Sequence, residues 1–291
     1  MSPFLHPFAD RAGRFAPLKA AAFVLAATPA LWLCALAAGP GLGPRPLSAA
    51  THEAGLATLR LVALTLAVTP LRVALRRPSL VSTRRILGVW AFAYGVAHVV
   101  FYVANQNFDL WHVADEIVRR LYLAIGFCAF LMLCALALTS TDAMIARCGT
   151  ARWRRLHRAV YAIAVLGCVH YFMQSKLDVS QAILMFGIFA LLLAFRIASR
   201  ALGDLSAATI ALIGAACAAA TALFEAGWFA WSAGAPLDLA LASNLDFSYT
   251  VRPAWFVLAA GCALTLARLA RAPAPRASNR PRVIRKTREA A

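Results

Sequence analysis

Apolar residues run along this chain in long unbroken stretches, and short clusters of arginine separate them. A half-buried sheet would alternate apolar and polar positions with a period of two. Here, runs of about 18 or more apolar residues recur instead, the length of a helix that crosses a hydrocarbon core. The pattern predicts eight spans, over residues 20–38, 54–71, 86–104, 121–139, 159–175, 180–199, 206–232 and 254–270. The predicted class is an all-α, polytopic transmembrane helical bundle. The first run follows Arg11, Arg14 and Lys19 and imitates a signal peptide, but its 19-residue apolar length favours an uncleaved span.

Composition agrees with the pattern: 62% of the 291 residues are hydrophobic and 14% charged, more apolar surface than a soluble domain of this size could hide. A net charge of +17 would suit nucleic acid, but the basic residues lie between apolar runs rather than along one soluble face, so no nucleic-acid partner is expected. The positive-inside rule explains them better. Of the 29 Lys and Arg, 23 fall in segments 1–19, 72–85, 147–158, 196–203 and 268–288, all on one side of the predicted topology. Five (Arg45, Arg119, Arg120, Lys176 and Arg252) fall on the other, and Arg60 lies inside span two. Both termini are therefore expected in the cytoplasm. The tail after Arg271, rich in Pro and Arg, is expected to be disordered against anionic membrane lipid.

Seven cysteines form no framework: six sit in apolar runs and Cys148 in a basic loop, with no C-x-x-C-H and no C-x-x-C pair. No Gly-rich dinucleotide fingerprint, nucleophile–base pair or metalloprotease motif appears, so no catalytic residue is assigned.

The candidate chemistry lies in ionisable residues within the spans, which are costly there without a partner. His157 and His170 lie in one stretch, Trp153 to Lys176, about 20 Å apart along a helix axis. His98 lies in the outer half of span three, which starts at the cytoplasmic pair Arg84–Arg85. His170 lies in the outer half of span five, which runs the same way. At matched depth, two helices can offer imidazoles to one iron, as a membrane bundle holds a b-type haem. The alternative for each is a packed, hydrogen-bonded histidine. His157 falls about 140° around an ideal helix from His170, so the two share no face unless the helix is distorted or His157 precedes its regular part. Span three offers Arg84 and Arg85 at its depth, which leaves a second, inner haem or an interfacial histidine open. Arg60, about two turns inside span two below His52 and Glu53, is expected to be buried near a negative group such as a haem propionate. Arg119, Lys176 and Arg252 read as interfacial side chains. Glu225 either faces the bundle and pairs with a basic group or reaches the outer interface. His6 and His112 read as solvated, the latter in an outer loop over 105–118.

Several motifs in one order carry a resemblance: H-x-x-G at His52–Gly55, TPL at Thr69–Leu71, TRRILGVWAFAYGVAH ending at His98, and RLY at Arg120–Tyr122. LTSTDAM at Leu138–Met144, WRRLHRAVY at Trp153–Tyr161 and HYFMQSK at His170–Lys176 follow. Over about residues 51–199 the chain resembles the haem-binding membrane subunits of the bacterial methionine sulfoxide reductase system. These belong to the ferric reductase-like transmembrane superfamily, which includes the NADPH oxidases. The resemblance implies one or two b-type haems with His98, His157 and His170 as iron ligands, and a bound FMN. His52, Arg60, Arg84, Arg85 and Arg120 complete the candidate cofactor-binding set.

The resemblance also implies electrons drawn from the quinone pool or a cytosolic flavin reductase. They would pass to a periplasmic molybdopterin catalytic subunit, MsrP, which repairs methionine sulfoxide in periplasmic proteins. The chain would then be the electron-transfer subunit of an oxidoreductase. It divides into an N-terminal segment with the first span and outer loop (1–50), a six-helix-type haem-binding core (51–199), two additional spans (200–271) and a basic tail (272–291). A ferric reductase, or a cytochrome with another acceptor, is the alternative. A transporter is a more distant one, since no inverted repeat is visible.

Overall fold

The computed structural model describes residues 8–9, 13–39, 41–175 and 178–270. His6, Arg11, Lys176 and the basic tail lie outside them. Among the described residues the only extended pairing is an isolated bridge between Ala9 and Phe15; everything else that is regular is helix.

In chain order the helices are α1 (Pro17–Ala38), α2 (Pro46–Ala74), α3 (Arg84–Asn105), α4 (Leu110–Arg119), α5 (Leu121–Leu138) and α6 (Asp142–Cys148). Then follow α7 (Thr150–Leu156), α8 (Val160–Gln174), α9 (Ser180–Leu202), α10 (Ala207–Ala233), α11 (Leu237–Ala242) and α12 (Pro253–Leu269). Single 3-10 turns lead into α3 (Pro78–Thr83) and α8 (His157–Ala159). Seven helical stretches among the described residues are long and apolar enough to cross a membrane: α1, α2, α3 with its 3-10 lead-in, α5, α7 continued through α8, α9 and α10. The protein is multi-pass. The eighth predicted span, α12, is apolar but has only 17 residues, about 25 Å of helix against a hydrocarbon core of about 30 Å.

The bundle is organised around α2, the most buried of the spanning helices, which packs on α3, α8, α9 and α12. The largest apolar cluster joins Leu61, Val62 and Leu66 of α2 to Leu87 and Ala91 of α3, Leu133 of α5 and Ile163 of α8. Helices α9, α10 and α12 form a second packed group. There α10 and α12 cross in backbone contact, since a Cβ on Gly261 would fall 2.6 Å from the Cα of Gly214. Without side chains at the crossing the two backbones approach closely, the usual way helices associate in lipid.

Two helices continue through prolines, and each break is repaired from a side chain. A proline inside a helix has no N–H for the carbonyl four residues back, and lipid offers no water in its place. At Pro70 the orphan is Leu66 O, which accepts from Arg196 Nη2 of α9. Arg196 Nη1 donates to Leu192 O at 3.0 Å, and the guanidinium lies 5.8 Å over the Tyr161 ring. At Pro29 the orphan, Leu25 O, accepts from the Thr28 hydroxyl at 2.7 Å. The Tyr94 hydroxyl then bridges the next turn, accepting from Ala30 N–H at 2.8 Å and donating to Ala26 O at 2.9 Å.

Candidate functional site

Helices α2, α3, α5 and α8 enclose a cavity of about 320 Å³. His98 of α3 and His170 of α8 both line it, with ring centroids 6.2 Å apart and ring planes at 89°. Each ring is fixed through Nδ1, His98 to Thr51 O of α2 at 2.7 Å and His170 to Tyr122 O of α5 at 2.8 Å. A backbone carbonyl only accepts, so Nδ1 carries the proton in both rings and Nε2 keeps its lone pair. Glycines 55, 95, 126 and 167 line the same space, and Phe127 and Phe130 add apolar surface to it.

Two metal–imidazole bonds of about 2 Å, each extended about 1 Å to the ring centre, would let two rings about 6 Å apart hold one metal ion between them. The observed separation matches. Among the described residues no group of three or more His, Cys, Asp or Glu could hold a metal ion. Two nitrogens without further protein donors suit an iron that brings its own equatorial ligands, as a porphyrin does.

The outer rim is built by α4, which the sequence led us to expect as part of a loop over 105–118. Asn107 and Phe108 take left-handed backbone angles (φ 53° and 60°) and turn the chain back over the cavity. Asp109 caps α4, accepting from His112 N–H at 2.9 Å. Val113 and Ile117 face the cavity, and buried Glu116 lies on the same side of the helix. Glu116 accepts from the Tyr102 hydroxyl at 2.6 Å and pairs with Arg120 at 2.5 Å. His112 Nε2 stands 3.7 Å from the same carboxylate, on an otherwise exposed ring. The Tyr122 hydroxyl and the Glu116 charge hold the Arg120 guanidinium above its ordinary range. Sequence reasoning did not single out Tyr102, Glu116 or Gly126. The i, i+3, i+4 spacing of Val113, Glu116 and Ile117 is the signal that could have found the helix.

The other candidates are distributed as follows. His52 lies at the cavity's outer edge, its ring 5.5 Å from Tyr171. Arg60 is exposed and does not line the cavity, which corrects the expectation of a buried guanidinium; α2 turns it outward between buried Leu59 and Leu61. His157 sits in the 3-10 turn before regular α8, with Nε2 3.2 Å from Thr139 Oγ1 and its ring stacked on Trp153 at 4.0 Å. Arg84 donates to Thr69 Oγ1 and Arg85 to Asp142, each at 2.6 Å. The structure therefore joins neither arginine to His157 by hydrogen bond. Arg119 pairs with Asp115 at 2.6 Å. Glu225, 2% exposed, faces the bundle with Arg252 at 3.6 Å. Arg196, counted above among cytoplasmic-side charges, is buried inside α9.

Residues 54–168 match the family model of the ferric reductase like transmembrane component. Similar proteins include the protein-methionine-sulfoxide reductase heme-binding subunit MsrQ of Rhodospirillum rubrum, 39% identical over 189 residues, or 65% of this chain and 88% of that one. MsrQ of Azospira oryzae is 40% identical over 63% of this chain and 79% of its own length. For MsrQ of Bordetella pertussis the figures are 37%, 66% and 94%. No solved structure matches the chain.

Proposed function

Since the chain belongs to the family of protein-methionine-sulfoxide reductase heme-binding subunits, MsrQ, we propose that it carries b-type haem between His98 and His170 and passes electrons outward across the bacterial inner membrane. The single observation that supports this most is the pair of imidazoles on separate helices, 6.2 Å apart, each with Nδ1 engaged by a backbone carbonyl and both lining one cavity. The haem supplies a reversible one-electron centre. The protein orients the ligands, lines the cavity with the apolar rings of Phe127 and Phe130, and sets the outer edge with Tyr102, Glu116 and Arg120.

In this reading both termini are cytoplasmic, and electrons come from the quinone pool or a cytosolic flavin reductase. FMN is a second cofactor on family grounds, and His157 with Arg84 and Arg85 marks the inner end of the route. The acceptor is a periplasmic molybdopterin subunit, MsrP, where methionine sulfoxide takes up two electrons and two protons and releases methionine and water. The side bias of the basic residues and the position of the His98–His170 pair in the outer half of its helices support this direction.

The purified protein should show a six-coordinate, low-spin haem spectrum. His98→Ala and His170→Ala should each remove it and His112→Ala should not; an unchanged spectrum in both ligand variants would refute the assignment. For the partner, pre-reduced protein is mixed without oxygen with the molybdoenzyme and methionine sulfoxide. Reoxidation should require both and vanish in His170→Ala. A second reading, a ferric reductase, is favoured by the family-model match over residues 54–168. It wins if reduced haem persists with both additions while ferric chelates reoxidise it rapidly.

A further inference from the structure

The two imidazoles are held by one device used twice. His98 rests on the backbone of α2 at Gly55, where an added Cβ would stand 2.7 Å from Nδ1 and 3.0 Å from Cε1. His170 rests on α5 at Gly126, where the same atom would stand 2.6 Å from Nδ1 and 2.8 Å from Cε1. Carbon cannot approach nitrogen that closely, so no side chain fits at either position while the ring stays where it is.

The accepting carbonyls repeat as well. Thr51 lies four residues before Gly55, and Tyr122 four before Gly126. Each carbonyl is therefore the one to which that glycine's own N–H is directed in the helical ladder. Each imidazole shares it by resting against the turn that joins the two residues, where any larger residue would project its Cβ. The two clamps act from different helices, α2 and α5, on rings whose planes are 89° apart.

We propose that Gly55 and Gly126 are positioning residues: each admits one imidazole onto a helix turn, so that Thr51 O and Tyr122 O lock the Nδ1 protons and hold the two rings perpendicular. The proposal rests on the haem reading above. It adds that relative ring orientation is imposed by two glycines rather than by the histidines' own helices. Perpendicular imidazoles interact with different iron d orbitals and leave them nearly degenerate, which makes the ferric electron paramagnetic resonance signal strongly anisotropic. Parallel rings act on one orbital and give an ordinary rhombic signal.

The test is this spectrum on the full-length protein in membranes. Wild type should give the strongly anisotropic signal. Gly55→Ala and Gly126→Ala should each shift it toward the rhombic form and weaken haem retention about 10–100-fold, the usual effect of losing a partner behind a metal ligand. Gly88→Ala on α3 and Gly227→Ala on α10 face open space and should leave both readouts unchanged. A rhombic wild-type signal overturns the proposal whatever the variants do, as do glycine variants with wild-type signal and retention. Wild-type protein without haem would instead defeat the functional reading itself.

Discussion

Arg196 and Pro70 are predicted to be energetically coupled across two helices. Arg196→Met keeps the apolar stem and removes the guanidinium, leaving Leu66 O with no donor, because Pro70 has no N–H to give. An unsatisfied buried carbonyl costs about 1–3 kcal/mol. The total effect of Arg196→Met also contains the relief of desolvating a buried cation, an opposing quantity of several kcal/mol, so the single variant is a poor measure. A double-mutant cycle removes that difficulty. Pro70→Ala returns a backbone N–H to Leu66 O, and in that background the loss of Arg196 no longer strands the carbonyl. Arg196→Met should therefore be more damaging in the wild-type chain than in the Pro70→Ala background, by about 1–3 kcal/mol. The four proteins are compared by unfolding in mixed detergent micelles with rising SDS. Additivity within about 0.5 kcal/mol would refute the repair of the proline break by Arg196.

Tyr94→Phe should destabilise α1 against α3 by about 1–3 kcal/mol in the same titration, since the lost hydroxyl leaves Ala30 N–H and Ala26 O apart at the Pro29 break; an unchanged midpoint would mean that the helix closes on itself. Tyr102→Phe removes the hydroxyl bonded to Glu116 at 2.6 Å and should loosen α4 by about 1–2 kcal/mol, read as roughly 5–30-fold faster amide exchange confined to residues 110–119. Equal protection in both proteins would show that α4 is held by Val113 and Ile117 alone.

The spans were legible because lipid imposes a length, and run length survives without knowledge of neighbours. Rotation about each helix axis was not. Arg60 lies within a spanning helix as the sequence implied, but whether it faces inward depends on which side of α2 meets α3 and α9. The angle computed for His157 assumed 100° per residue throughout. Residues 157–159 instead form a 3-10 turn, which advances about 120° per residue, so an ideal-helix projection fails there. The α4 helix was hidden because charged Glu116 lies on its buried stripe while Asp115 and Arg119 are exposed, so no long apolar run marks it, and an interfacial helix needs only a stripe. Arg196 was counted as a loop charge since nothing local reveals that a proline on another helix has left it a carbonyl to serve.

The glycines follow from the same constraint that made the spans readable. A metal-ligating histidine donates its second N–H to a carboxylate, a carbonyl or water. Inside a bilayer a carboxylate is expensive and water scarce, so the acceptor falls to a carbonyl already engaged in a helix. Sharing such a carbonyl requires the ring to touch the helix backbone, and only glycine four residues further along leaves that space. Gly55 stands in the H-x-x-G motif, so half of the device was visible as a motif without its reason. Gly126 was invisible, because its meaning depends on α8 crossing α5 at Tyr122. Under the proposal above, each of the two histidines of this bundle requires a glycine on the helix that supplies its carbonyl.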